Sequence, residues 1–172
     1  MRHQIRLLIK TLYPPVIDVD EMLEAMRRVY STADILVDEG PRENLEIGPD
    51  REAPQLDFDV GGCMAGEVTD EQRLLFEHRD GAGPDDIVIY LVRTTVPPTN
   101  GCASFPPGRP GAIVAAGASR FTLAHEVGHV LGLPHVGDRQ NLMTNRGTST
   151  IVGEPVLTDA QIRTMQDSPH CT

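Results

Sequence analysis

Apolar positions change period several times along the chain, and each change predicts an element. Gln4 to Lys10 alternates, with Ile5, Leu7 and Ile9 on one side, the two-residue period of a half-buried strand. Met22, Met26, Val29 and Ala33 then recur at helical spacing behind Asp18 and Asp20, either of which can accept from the free N–H groups of a first turn. Ile35 to Val37 supplies a short second strand. Thr69-Asp70-Glu71-Gln72 has the form of a capping box ahead of Leu74, Leu75 and Phe76, with Gly81 and Gly83 as stop signals. Ile87 to Val92 is continuously apolar and rich in branched residues, as a strand covered on both faces and central in a sheet would be. Ala112 to Ala116 is a further short strand just before a helix over about 121–131. A second capping box, Thr158-Asp159-Ala160-Gln161, opens a last helix carrying Ile162 and Met165. The stretches 38–53 and 96–110, rich in Gly, Pro and charge, read as surface loops within one domain. Strands mixed with three or four helices make an α/β or α+β domain.

Composition narrows the partners. The 172 residues are 40% hydrophobic, enough for one ordinary core. Fifteen Lys plus Arg stand against 25 Asp plus Glu, a formal charge of -10 that repels a phosphate backbone and sets nucleic acid aside. No apolar run approaches the roughly 20 residues of a membrane span, and no apolar signal-peptide core follows the basic Met1 to Arg6 segment. The chain therefore reads as a soluble monomer without a membrane partner, its compartment open. Aromatic residues are only 4% and Trp is absent, so the core rests on Leu, Ile, Val, Met and Ala.

Three cysteines leave one unpaired in any scheme. If a bridge forms, Cys63 to Cys102 is favoured, because Cys171 is the penultimate residue and is expected to fray. The alternatives for Cys63 are a plain buried thiol or a thiolate sent to a metal. His3, His78 and His170 share no ligand spacing and read as surface residues.

The chemistry concentrates in residues 125–135, which read HExxHxxGxxH: His125, Glu126, His129, Gly132 and His135. On a helix, His125 and His129 stand one turn apart on one face, so both imidazoles reach one ion at the roughly 2.0–2.1 Å that zinc requires. Gly132 can take the left-handed conformation that ends a helix, and Pro134 discourages its continuation, so the chain can fold back and bring His135 in as third ligand. Three neutral imidazoles leave a fourth position for water, whose pKa bound zinc lowers toward about 7. Glu126 follows the first ligand directly and can take that water's proton and later pass it to a departing amine. A chance match to all five fixed positions in a chain of this length has a probability on the order of 10⁻⁵ to 10⁻⁴.

With this motif the chain resembles the metzincin zinc peptidases, whose signature is the long HExxHxxGxxH followed by a methionine-containing turn. Met143, in Leu142-Met143-Thr144, lies downstream of His135 at a distance similar to that in the matrixin branch. The resemblance implies an α+β, zincin-like fold: a twisted mixed sheet, an active-site helix, and a short C-terminal subdomain holding the Met-turn and last helix. Residues 1–172 would form one catalytic domain, with an N-terminal subdomain to about 134 and a C-terminal one over about 135–172. Met143 would be an apolar floor beneath the zinc. Ala112 to Ala116 would be the edge strand that pairs with an extended peptide. Thr144 to Val152 would line the pocket for the side chain beyond the cut. Where astacins and serralysins carry a tyrosine after the turn methionine, this chain has Asn145, so no phenolic ligand comes from that position. Matrixins bind calcium in acidic loops, and Asp80, Gly81, Gly83, Asp85 and Asp86 offer comparable oxygens, with an ordinary acidic turn as the alternative.

These residues lead to the expectation of a zinc-dependent endopeptidase acting on peptide or protein substrates. His125, His129 and His135 are the metal ligands, Glu126 the catalytic base, and Met143 and Gly132 the supports. The rival readings are a zinc hydrolase of a small amide and a non-proteolytic zinc-binding module. Secretion would suit a protease, though no signal is visible.

Overall fold

The computed structural model describes residues 2–45 and 56–172. Its main sheet has the order β2-β1-β5-β8-β7, built from β1 (His3–Thr11), β2 (Ile35–Glu39), β5 (Ile87–Val92), β8 (Gly111–Ala115) and β7 (Gly101–Cys102). The first four run parallel, and β7 closes one side antiparallel to β8. A short β3 (Glu43–Asn44) pairs with the far end of β1, and β4 (Asp57–Asp59) pairs with β6 (Thr94–Val96) in a separate two-stranded ribbon. Of the loop expected over 38–53, residues 46–53 lie outside the described residues; Asp38 and Glu39 extend β2.

All six residues of β5 are buried, and the strand is central as its continuous apolar run predicts. Strand β1 departs from the half-buried expectation, since Leu8 and Lys10 on its second face are buried too. The cause is a second apolar layer: Leu8, Phe58, Leu75, Phe76, Val88, Tyr90 and Ile113 pack on that face. Lys10 is tolerated there because its ammonium pairs with Glu43 and donates to the Asp80 carbonyl at 2.8 Å.

The opposite face carries the larger core, covered by α1 (Val19–Ser31) and α3 (Thr122–Val130). Asp18, rather than Asp20, caps α1 by accepting from the Asp20 N–H. Helices α2 (Asp70–Leu75) and α4 (Asp159–Gln166) both open on complete capping boxes, Thr69 with Gln72 and Thr158 with Gln161. No helix of the described residues is long and apolar enough to cross a membrane.

Two expectations about position are corrected. Ala112 to Ala116 is not an edge: β8 lies between β5 and β7 and is buried throughout, so the outer strand is β7. Cys171 does not fray, because Gln4 and Thr172 exchange backbone hydrogen bonds of 2.7 and 2.9 Å that tie the C-terminus to β1 and bury the thiol.

Candidate metal centre and active site

Helix α3 is buried on nearly every side, with Leu123, Ala124 and Val127 in the core. No side chain caps its first turn, and the segment leading into it is held instead by a hydroxyl cluster. Ser119 and Thr122 exchange bonds, the Ser119 N–H donating to Thr122 Oγ1 and the Phe121 N–H to Ser119 Oγ, while Thr148 closes the hydroxyl cluster. At the other end Gly132 takes φ +99°, the Gly132 N–H donates to the His129 carbonyl and the Leu133 N–H to the Gly128 carbonyl. This is a Schellman ending, which requires a left-handed residue where Gly132 stands and turns the chain back toward His135.

The turn brings three imidazoles together. The Nε2 atoms of His125, His129 and His135 lie 3.1, 3.1 and 3.0 Å from one another. The Nδ1 of His125 faces the Leu142 carbonyl at 2.7 Å, and that of His129 faces the Leu133 carbonyl at 2.6 Å. A ring nitrogen against a carbonyl must carry the proton, so two of the converging Nε2 atoms present bare lone pairs to each other. Such an arrangement asks for a cation. Tetrahedral zinc at about 2.0–2.1 Å from each ligand sets nitrogens about 3.3 Å apart, close to the spacing observed, so the donor set fits zinc with one direction left open. Burial holds His125 low, to about 4, and lowers His129 as well, keeping both rings free of competing protons at neutral pH. Exposure rises from buried His125 through half-buried His129 to exposed His135, so the group opens to solvent on one side. Among the described residues this is the one cluster of three or more side chains spaced to hold a metal.

Glu126 is 7% exposed, and burial pushes its carboxyl up to about 8. A cation held by the neighbouring imidazoles would draw it back toward the ionised form. Glu126 and His135 line both of two recesses. The larger, about 870 Å³, runs past Gly62, Ala103, Phe105, Val130 and Leu133; the smaller, about 200 Å³, is walled by Asn100, Thr122, Asn145 and Thr148. Of the segment expected to line a pocket, Thr144, Asn145, Gly147 and Thr148 face the smaller recess, whereas Ile151 is core and Val152 is exposed.

Met143 lies in a turn closed by the Thr144 N–H to the Asn141 carbonyl, and its side chain is fully buried. A Cβ on Gly128 would stand 2.7 Å from the Met143 sulfur, so any side chain there would have to displace Met143 from its place beneath the helix. The turn is fixed by residues the motif does not reveal. Asn141 and Gln161 join side chain to side chain at 2.8 and 3.0 Å, and Asn141 Oδ1 also accepts from the Met143 N–H. Tyr30 of α1 donates its buried hydroxyl to the Ala124 carbonyl at 2.8 Å. The sequence signal for the Asn141 pair is slight: Gln161 is legible as part of a capping box, and its second partner is not.

The other candidates fall outside this centre. Cys63 and Cys102 form a disulfide, their Cα atoms 5.8 Å apart, so Cys63 is no thiolate ligand. Loop 80–86 is organised by protein cations: Arg79 donates to the Gly83 and Asp86 carbonyls, Arg6 pairs with the Asp86 carboxylate, and Lys10 takes the Asp80 carbonyl. The Asp86 carboxylate and the Asp80, Gly83 and Asp86 carbonyls are thus engaged within the protein, and the loop forms no cluster spaced to hold an ion among the described residues. His3, His78 and His170 are half-buried rather than on the open surface, and His170 packs edge-on against Phe105.

No protein-family model matches the chain, and no curated protein matches it by sequence. Solved structures do match its fold. Metalloproteinase-II from Bacteroides fragilis superposes with a TM-score of 0.62 at 18% identity, covering 96% of this chain and 53% of that one. This chain thus spans about half the length of that relative. Archaemetzincin from Methanopyrus kandleri gives 0.59 at 15% identity over 95% and 94% of the two chains. A zinc-dependent peptidase from Methanocorpusculum labreanum gives 0.55 at 11%, over 94% and 100%. At these identities the likeness is one of fold: a metzincin-like zincin fold. It does not single out the matrixin branch, which rested on the spacing from His135 to Met143 alone.

Proposed function

We propose that the protein is a zinc-dependent endopeptidase. The observation that carries this reading is the convergence of the three Nε2 atoms within 3.1 Å beside a buried carboxylate that faces two recesses. His125, His129 and His135 would hold the ion, with Leu142 and Leu133 carbonyls fixing which nitrogen of the first two rings binds. Zinc, when bound, acts as a Lewis acid that polarises a carbonyl oxygen and acidifies a water. Glu126 is the proton carrier: its carboxylate takes a proton from the attacking water and delivers it to the departing amine nitrogen. Met143 forms the apolar floor, and Gly132 sets the turn that delivers His135.

A recess on either side of Glu126 suits a chain that continues past the scissile bond in both directions. Strand β7 ends the sheet, with no strand beyond it among the described residues, and lies along the same cleft, where an extended peptide can add. Both features favour an endopeptidase over a hydrolase of small amides. The purely structural zinc site loses its best support with Cys63 committed to Cys102. The test is incubation of the zinc-loaded protein with denatured casein, the fragments being mapped by mass spectrometry. Cleavage at internal bonds that stops on chelation and returns with zinc is expected. Release of terminal residues only, or hydrolysis of small amides without casein cleavage, would overturn the endopeptidase reading.

A further inference from the structure

Strand β7 meets the centre at an unusual point. A Cβ built on Gly101 would have as its three nearest atoms the Glu126 Cγ and Oε1 at 2.7 Å and Cδ at 2.8 Å. Ordinary contact lies at 3.4–4 Å, so any side chain at 101 must displace either the strand or the carboxyl group. The strand is held. Gly101 and Cys102 pair with Val114 and Ile113 of β8, Cys102 is tied to Cys63, and the Gly101 carbonyl accepts from the Thr99 hydroxyl at 3.1 Å. The carboxyl group is the free end of a flexible side chain, so it is the part that yields. Gly101 does not occupy the left-handed region, so alanine is acceptable to its backbone and Glu126 is the obstacle that a methyl would meet.

We propose that Gly101 is a positioning residue: the missing side chain forms a slot in the edge strand, braced by the Cys63–Cys102 disulfide, that fixes where the Glu126 carboxylate stands. The inference rests on Glu126 as the proton carrier. It assigns the edge strand a task besides pairing with a peptide, that of aiming the base. A displacement of roughly 1 Å at a reacting group costs about a hundredfold in rate.

The experiment is a double-mutant cycle of Gly101→Ala and Glu126→Ala, read in two ways. The first is thermal unfolding of the metal-free proteins. Gly101→Ala is expected to lower Tm by about 3–10 °C beside Glu126, and by no more than about 1 °C beside Ala at 126, where the methyl has room. The second is casein cleavage at matched zinc occupancy: Gly101→Ala lowers kcat about a hundredfold with KM and zinc affinity unchanged, and adds no further loss in the Glu126→Ala background. Equal Tm losses in both backgrounds, or a kcat within about twofold of the parent, would overturn the proposal. Should Gly101→Ala fail to fold, recovery of folding in the double variant supports the slot, and failure of both overturns it. An active Glu126→Ala removes the proton-carrier reading and the positioning role with it. A parent that cleaves nothing removes the peptidase reading alone and leaves the slot to the Tm cycle.

Discussion

Helices α1 and α3 lie side by side on the same face of the sheet, yet what fixes them differs. Helix α1 has a single apolar face, with Met22, Leu23, Met26, Val29 and Tyr30 buried, and its N-terminus is satisfied by its own Asp18. Helix α3 is buried nearly all round, and burial alone does not set where its imidazoles point. Their directions come from a few single contacts: the Leu142 and Leu133 carbonyls, the Asn141–Gln161 pair behind the turn, and the left-handed turn at Gly132. The scaffold is held by many apolar contacts and the centre by a few polar ones. Under the proposed function, damage to the first should cost mainly stability, and damage to the second mainly metal affinity or chemistry.

The sharpest way to break that contrast is at the sheet centre. Ile89→Ala empties a fully buried site in β5 and should cost about 2–5 kcal/mol in denaturant unfolding, while the chains that remain folded bind zinc as the parent does. A large loss of zinc affinity per folded chain would mean that scaffold and centre are not separable. His129→Ala is the mirror case. Zinc affinity should fall about 10²–10³-fold by competition titration, with little change in the Tm of the metal-free protein, since that ring is only partly buried.

Asn141→Ala probes the contacts behind the ligands. It removes the partner of Gln161 and of the Met143 N–H, and loosening the Leu142 carbonyl should reduce zinc affinity about 10–100-fold. An unchanged affinity would show that the turn is held without the pair.

The metal-free protein carries a pH signature at Glu126. Its carboxyl is raised from 4.5 to about 8, so the unfolded chain releases this proton at lower pH than the native one. The contribution is complete below about 4.5 and is lost as pH rises toward about 8. The Tm of the parent relative to Glu126→Gln should therefore fall across that interval, and a flat difference would contradict the burial of the carboxyl. Tyr30→Phe gives the smallest effect: one buried hydrogen bond between α1 and α3, about 1 kcal/mol, with zinc affinity intact.

Much of this was legible in the sequence, and unevenly. The capping boxes at Thr69 and Thr158, the central strand and the ligand helix carry their own local signals, because periodicity and caps act within a few residues. Strands of two or three residues, such as β7 and β4, have no period to read. The resemblance puts the edge at residues 112–116, although the strand there, Gly111–Ala115, is apolar without alternation, a sign of a strand covered on both faces. Cys171, as the penultimate residue, reads as frayed, and what holds it is β1, whose place beside it at the other end of the sequence leaves no local signal. Gly101 left no signal for a different reason: what matters there is the absence of a side chain opposite a residue 25 positions further on, and only the packing reveals it.

The central claim is that Glu126 moves the proton in a hydrolysis at the three-histidine centre. Its most direct test is kcat/KM for casein cleavage by the parent and by Glu126→Ala, each shown to hold one zinc per chain. A loss of a hundredfold or more at equal zinc occupancy is the predicted result. Cleavage that survives the substitution within a few fold would contradict the account and leave the buried carboxylate without a catalytic role.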